Sequence, residues 1–113
     1  MRRPPRGPLL PTAHDVAREF RLISALIHSD LPVPAPVLYC ADESVIGAPF
    51  YLMEKVPGIV IRSEVPEAFA TPEKRAGLAE ELIQTLVRLH AVDWKAVGLE
   101  TLGKPEGYLE RQL

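Results

Sequence analysis

The chain is poor in the features that usually announce a special site. It has a single cysteine, Cys40, among 113 residues, which excludes an internal disulfide framework and a CxxC metal knuckle. No apolar run approaches the ~20 residues of a membrane span. The basic start Met1-Arg2-Arg3 runs into Pro4-Pro5 rather than into the apolar stretch of a signal peptide. Neither charge sign dominates: 13 Lys and Arg against 15 Asp and Glu leave a formal charge of −2. Such a balance supplies no global field to draw nucleic acid or an anionic membrane. His14 and His28 show no metal-ligand spacing, and His90 reads as a packed or helix-end histidine rather than a general base. What remains is 47% hydrophobic and 25% charged, a globular composition, for which the cytoplasm is the default compartment and neither membrane nor nucleic acid is an expected partner.

The most informative stretch is Pro49-Phe50-Tyr51-Leu52-Met53-Glu54-Lys55-Val56-Pro57-Gly58. Four successive apolar residues without alternation read as a strand covered on both faces. A charged pair, a proline and a glycine then read as an extended exit into a turn. The carbonyl of Glu54 and the N–H of Val56, two residues apart on one backbone edge, match the adjacent donor and acceptor of an adenine. Around this strand the sequence predicts a helix from a Thr12 cap to about Ile27 and a stiff connector with proline at alternate positions, Leu31–Pro36. Strands are predicted over Val37–Cys40 and Phe50–Val56, with Ile59–Ile61 as a candidate third. A second helix is predicted from a Thr71 cap with Pro72 at its first position to about Val92, with Leu78, Leu82, Leu86 and Leu89 on one stripe. Tyr108–Leu113 reads as the first turn of a third helix. Cys40 is expected as a small buried hydrophobe, and Trp94 as a packing anchor after the second helix.

One carboxylate is out of place. On a helical wheel with Val16 at zero, Phe20 falls at about +40°, Ile23 at about −20° and Glu19 at about −60°, inside the apolar stripe. Burying a carboxylate costs several kcal/mol unless it is paired. Glu19 therefore either meets a cation beneath the helix, for which Arg2 and Arg3 are the candidates, or sits at the margin of the stripe and reaches solvent.

A strand ending in a basic residue, a helix with an inward glutamate, two strands and Met53-Glu54-Lys55-Val56-Pro57-Gly58 together resemble the N-terminal lobe of a kinase fold. Arg2–Pro11 followed by Ala13–Arg21, then Leu82–Trp94 and Gly103–Gln112, narrow the likeness to the aminoglycoside phosphotransferase-like family. Within it, the branch resembled is the one related to the kinase-like domain fused to some acyl-CoA dehydrogenases. The resemblance implies an α+β protein-kinase-like N-terminal lobe over 1–56, ending in the hinge, and the hinge exit with the start of a helical C-terminal lobe over 57–113. It implies ATP and Mg²⁺ as cofactors and a small-molecule hydroxyl as acceptor. It implies further that Glu19 pairs with a phosphate-binding Arg2 (Arg3 being the alternative), that Met53 is the gatekeeper behind the adenine, and that Glu54 and Val56 make the hinge contacts.

The glycine-rich loop that covers the phosphates in this family is not in the sequence, nor is the His-Gly-Asp catalytic motif with its later asparagine and metal-binding aspartate. Asp93, in Ala91-Val92-Asp93-Trp94, lacks the surrounding motif. The expectation is thus a piece of an ATP-dependent small-molecule phosphotransferase, truncated at both ends, with no catalytic or metal-binding residue of its own and inactive alone. The competing expectation is a small non-catalytic α+β interaction module.

Overall fold

The computed structural model describes residues 1–5, 7, 14–103, 106, 107, 109 and 110. They fall into two compact units, residues 1–54 with 93–113, and residues 55–92.

The first unit is organised around helix α1, Val16–Leu26, and strands β1, Pro36–Cys40, and β2, Phe50–Met53. Asp15 rather than Thr12 caps α1: its Oδ1 accepts the Arg18 backbone N–H at 3.0 Å, satisfying one of the orphan donors of the first turn. Thr12 itself lies outside the described residues. His14, with φ 59°, sets the chain's entry into the helix from the left-handed region. At the far end α1 stops at Leu26, one residue before the expected Ile27, which serves as the cap, and Ser29 Oγ donates to the Leu26 carbonyl at 2.6 Å while accepting the Leu31 N–H.

Strands β1 and β2 pair antiparallel, with Pro36 opposite Met53 and Cys40 opposite Phe50. The register shifts between Pro36 and Leu38, so Val37 is left out of the ladder as a bulge and is exposed. β2 ends at Met53, three residues short of the expected Val56. The Glu54 N–H still donates to the Ala35 carbonyl at 2.9 Å, but from Lys55 onward the backbone makes no ladder bond among the described residues. Ile59–Ile61 form no strand: three β-branched residues carry the propensity, yet without a partner strand there is no ladder to join. Arg2 adds a single rung on the other edge of β2. Its N–H donates to the Tyr51 carbonyl at 2.9 Å and its carbonyl accepts the Tyr51 N–H at 3.0 Å.

Among the described residues the core of this unit is small: Val16, Leu26, Leu31, Phe50, Tyr51 and Leu99 are its buried apolar residues, and no charged residue is buried. The adjacent residues Phe50 and Tyr51 are both buried, so β2 is covered on both faces there, as the unbroken apolar run requires. Phe20 of α1 lies against the rings of Tyr39 and Tyr51 at centroid distances of 6.0 and 5.7 Å. Cys40 is only half-buried, its Sγ 3.8 Å from the Asp42 carbonyl, and does not fill the core position expected of it.

The second unit contains a 3₁₀ turn, Glu67–Phe69, and helix α2, Pro72–Ala91. Thr71 Oγ1 caps α2 by accepting the Lys74 N–H, with Pro72 at the first position where its missing N–H costs nothing. The apolar stripe of α2 remains open: Leu82, Ile83, Leu86, Val87 and Leu89 are all exposed. Of the expected third helix, Leu109 and Glu110 are helical, and the rest lies outside the described residues. Trp94, expected as an anchor, is 40% exposed, with Lys95 Nζ 5.3 Å from its ring centroid.

Candidate functional site

The site is assembled where α1 crosses β2. The rung at Tyr51 delivers Arg2 to the sheet edge, and the first turns of α1 place Glu19 above it. Arg2 Nε and Glu19 Oε2 form an ion pair, and Arg2 Nη2 donates to Glu19 Oε1 at 3.3 Å. The guanidinium thus meets the carboxylate through two nitrogens, the fork geometry that gives arginine its directionality. Arg3 points elsewhere, Nη1 reaching the Ile46 carbonyl at 3.5 Å. Of the two candidate cations it is therefore Arg2 that meets Glu19.

Both halves of the earlier alternative hold in part. Glu19 is paired, yet its side chain stays 32% exposed and that of Arg2 53% exposed. The pair lies at the edge of the surface rather than beneath the helix. The reason is the single rung: Arg2 lies at the rim of the sheet, not beneath it. An exposed pair contributes roughly 0.2–1 kcal/mol, too little to explain the arrangement by stability alone. Arg2's pKa is raised, first by its hydrogen bond to Glu19 and then by that carboxylate's charge.

A third member was not anticipated. The Tyr51 hydroxyl donates to Glu19 Oε2 at 3.2 Å. From the sequence, Tyr51 reads as one more apolar strand residue. The missed signal was its polar tip, since a buried tyrosine ordinarily finds a partner for its hydroxyl. Burial raises the Tyr51 phenol above its ordinary value of 10.0, the Glu19 hydrogen bond and charge raise it further, and Arg2 opposes them.

The raised phenol has a consequence for stability. Below pH 10 the phenol is protonated in both folded and unfolded chains, so it contributes no pH dependence there. Above that, the unfolded phenol ionises while the folded one holds its proton, and stability falls as pH rises through the folded value. The urea midpoint should therefore be lower above about pH 10 than below it in the native protein. Tyr51→Phe should remove that alkaline component, and parallel midpoint-against-pH curves for the two proteins would refute the assignment.

Met53 is half-buried at the end of β2, Glu54 is exposed just beyond it, and Val56, in the other unit, is 61% exposed. Asp93 serves its own backbone, Oδ1 accepting the Lys95 and Ala96 N–H groups at 3.0 Å each. Among the described residues no group of three or more His, Cys, Asp or Glu side chains could hold a metal ion. No helix among them is long and apolar enough to cross a membrane.

The family model for the phosphotransferase enzyme family matches residues 1–113. The chain belongs to that family. It is 44% identical over 114 residues to acyl-CoA dehydrogenase family member 11 of Gallus gallus and 41% identical over 113 residues to family member 10 of Mus musculus. Both alignments cover all of this chain, but only 14% and 10% of those proteins. Among solved structures, a protein from Ralstonia eutropha assigned as an aminoglycoside phosphotransferase superposes with a TM-score of 0.74 at 39% identity. That superposition covers 86% of this chain and 29% of the other. The α+β arrangement of this chain is therefore that of a kinase-like fold, as the resemblance implied.

Proposed function

We propose that this chain forms the nucleotide-binding edge of an ATP-dependent small-molecule phosphotransferase. Residues 1–56 would contribute the N-terminal lobe as far as the hinge, and 57–113 the start of the helical lobe. The observation that carries the reading is the Arg2–Glu19 pair. Glu19 orients the guanidinium through Nε and Nη2, and Arg2 remains half-exposed with Nη1 unengaged among the described residues. A cation held in one direction with a donor to spare fits a phosphate oxygen, and the modest stabilisation the pair offers the fold fits that use better than a structural one.

In this reading Arg2 positions a phosphate, Glu19 orients Arg2, and Tyr51 holds Glu19 from the strand side. Met53 would back the adenine, with the Glu54 carbonyl and the Val56 N–H as the hinge contacts. Bound ATP would supply the phosphoryl group. The described residues offer no fit for Mg²⁺, and we assign them no transfer step; the chain alone is proposed to bind nucleotide without turning it over. The kinship with acyl-CoA dehydrogenase family members favours a hydroxyacyl-type acceptor over an antibiotic.

Thermal unfolding of the 113-residue chain with increasing ATP tests this. A ligand at 100 times its Kd stabilises by about 2.7 kcal/mol, so Tm should climb by several degrees and keep rising with concentration, more for ATP than for adenosine. An unmoved Tm at millimolar ATP would sink the proposal, as would steady-state phosphoryl transfer by this chain alone.

A further inference from the structure

The stretch after α2 is a capped turn rather than a loose connection. Asp93 Oδ1 caps its start, and Gly98, at φ 78°, takes the left-handed conformation that closes it. The Leu99 N–H donates to the Trp94 carbonyl at 2.9 Å, and the Leu99 side chain is buried in the core of the first unit. The Gly98 carbonyl accepts from Arg21 Nη2 at 3.0 Å, and the same nitrogen donates to Thr101 Oγ1 at 2.7 Å. Arg21 lies two positions beyond Glu19 on α1, about 200° around the helix. α1 is thus gripped on two opposed faces, by Arg2 and Tyr51 at Glu19 and by the turn at Arg21.

A helix of 11 residues is marginal in water and owes its placement to what packs on it. The strands and the Phe20 contacts hold one side. On the far side, Arg21's bonds to the turn tie the helix by its polar face, and they reach across 77 and 80 residues of sequence. We propose that Arg21 is a positioning residue: by tying the 93–102 turn to α1 it sets where Glu19 stands, and through Glu19 the aim of Arg2. The turn after α2 is then mechanically linked to the Arg2 guanidinium, although neither Arg2 nor Glu19 is hydrogen-bonded or ion-paired to it. Only the ligand-binding consequence of this linkage rests on the nucleotide reading above; the linkage itself does not.

Hydrogen exchange on the 113-residue chain, with ATP affinity measured in parallel, tests it. Two hydrogen bonds of about 1 kcal/mol each are worth roughly tenfold or more in a local opening equilibrium. Arg21→Ala should therefore accelerate exchange about tenfold in residues 98–102 and also across α1, while the β2 amides keep native rates. Arg21→Lys, which retains a cationic donor, should recover part of the protection in both places. Thr101→Val is the milder variant should Arg21→Ala unfold, and should loosen both segments to a smaller degree. Acceleration confined to 98–102, with α1 unchanged, would overturn the proposal. ATP affinity should weaken about fivefold in Arg21→Ala, since the loss is that of orientation and not of a contact, roughly 1 kcal/mol. If the native chain fails to bind ATP, the nucleotide reading falls, and exchange in α1 still decides the linkage.

Discussion

Tyr51→Ala should unfold the unit formed by residues 1–54 and 93–113. Tyr51 is 3% exposed, its ring lies against Phe20, its hydroxyl donates to Glu19, and its backbone carries both bonds of the Arg2 rung. Truncating a buried aromatic to alanine costs about 3–5 kcal/mol. Whole domains are stable by only about 5–15 kcal/mol, and a core with six buried apolar residues among those described belongs near the low end of that range. Urea denaturation followed by circular dichroism should show the native transition lost or moved to very low denaturant. Tyr51→Phe, which keeps the ring, should retain a cooperative transition at a cost of about 1 kcal/mol. A Tyr51→Ala midpoint within about 1 kcal/mol of native would mean that the ring is not central to this core.

Arg2→Ala should do the reverse, sparing the fold and removing the ligand response. The backbone rung survives the substitution, and the lost pair is exposed, so the stability change should stay below about 1 kcal/mol. Charge-assisted hydrogen bonds to a phosphate are worth about 1.5–3 kcal/mol, which corresponds to a loss of roughly 10- to 150-fold in ATP affinity. Glu19→Ala should follow in the same direction with a smaller loss, since it frees the guanidinium without deleting it. Titration of both variants with ATP, beside their urea midpoints, separates the two effects. Native ATP affinity in Arg2→Ala would remove Arg2 from the proposed site.

What could be read from sequence here was what local chemistry encodes. The Thr71 cap with Pro72 behind it located α2 because both residues act on the turn they belong to. The expected Thr12 cap of α1 gives way to Asp15 for the same local reason. Thr12 and Asp15 are both competent caps one turn apart, and choosing between them depends on where the preceding backbone comes from. The inward placement of Glu19 followed from helical periodicity and pointed to a cation nearby, but its degree of exposure depends on how far under the helix the sheet extends. Arg21 was invisible as a site residue. One of its two acceptors is a glycine carbonyl, which leaves no side-chain signature, and both lie at the other end of the chain. Ile59–Ile61 show the opposite error, a propensity with nothing to pair against.

The bulge at Val37 bears on how the protein behaves at high concentration. In this two-stranded sheet β2 has a neighbour on both sides, β1 on one and the Arg2 rung on the other. Among the described residues, the outer edge of β1 has none. An unpaired strand edge with Val37, Leu38 and Tyr39 all exposed is a template on which another chain could add a strand. Here Pro36 begins that edge without a donor, Pro32 and Pro34 precede it, and the shift in register at Val37 bends it out of line. The same irregularity that shortens the ladder also protects the molecule from self-association along it.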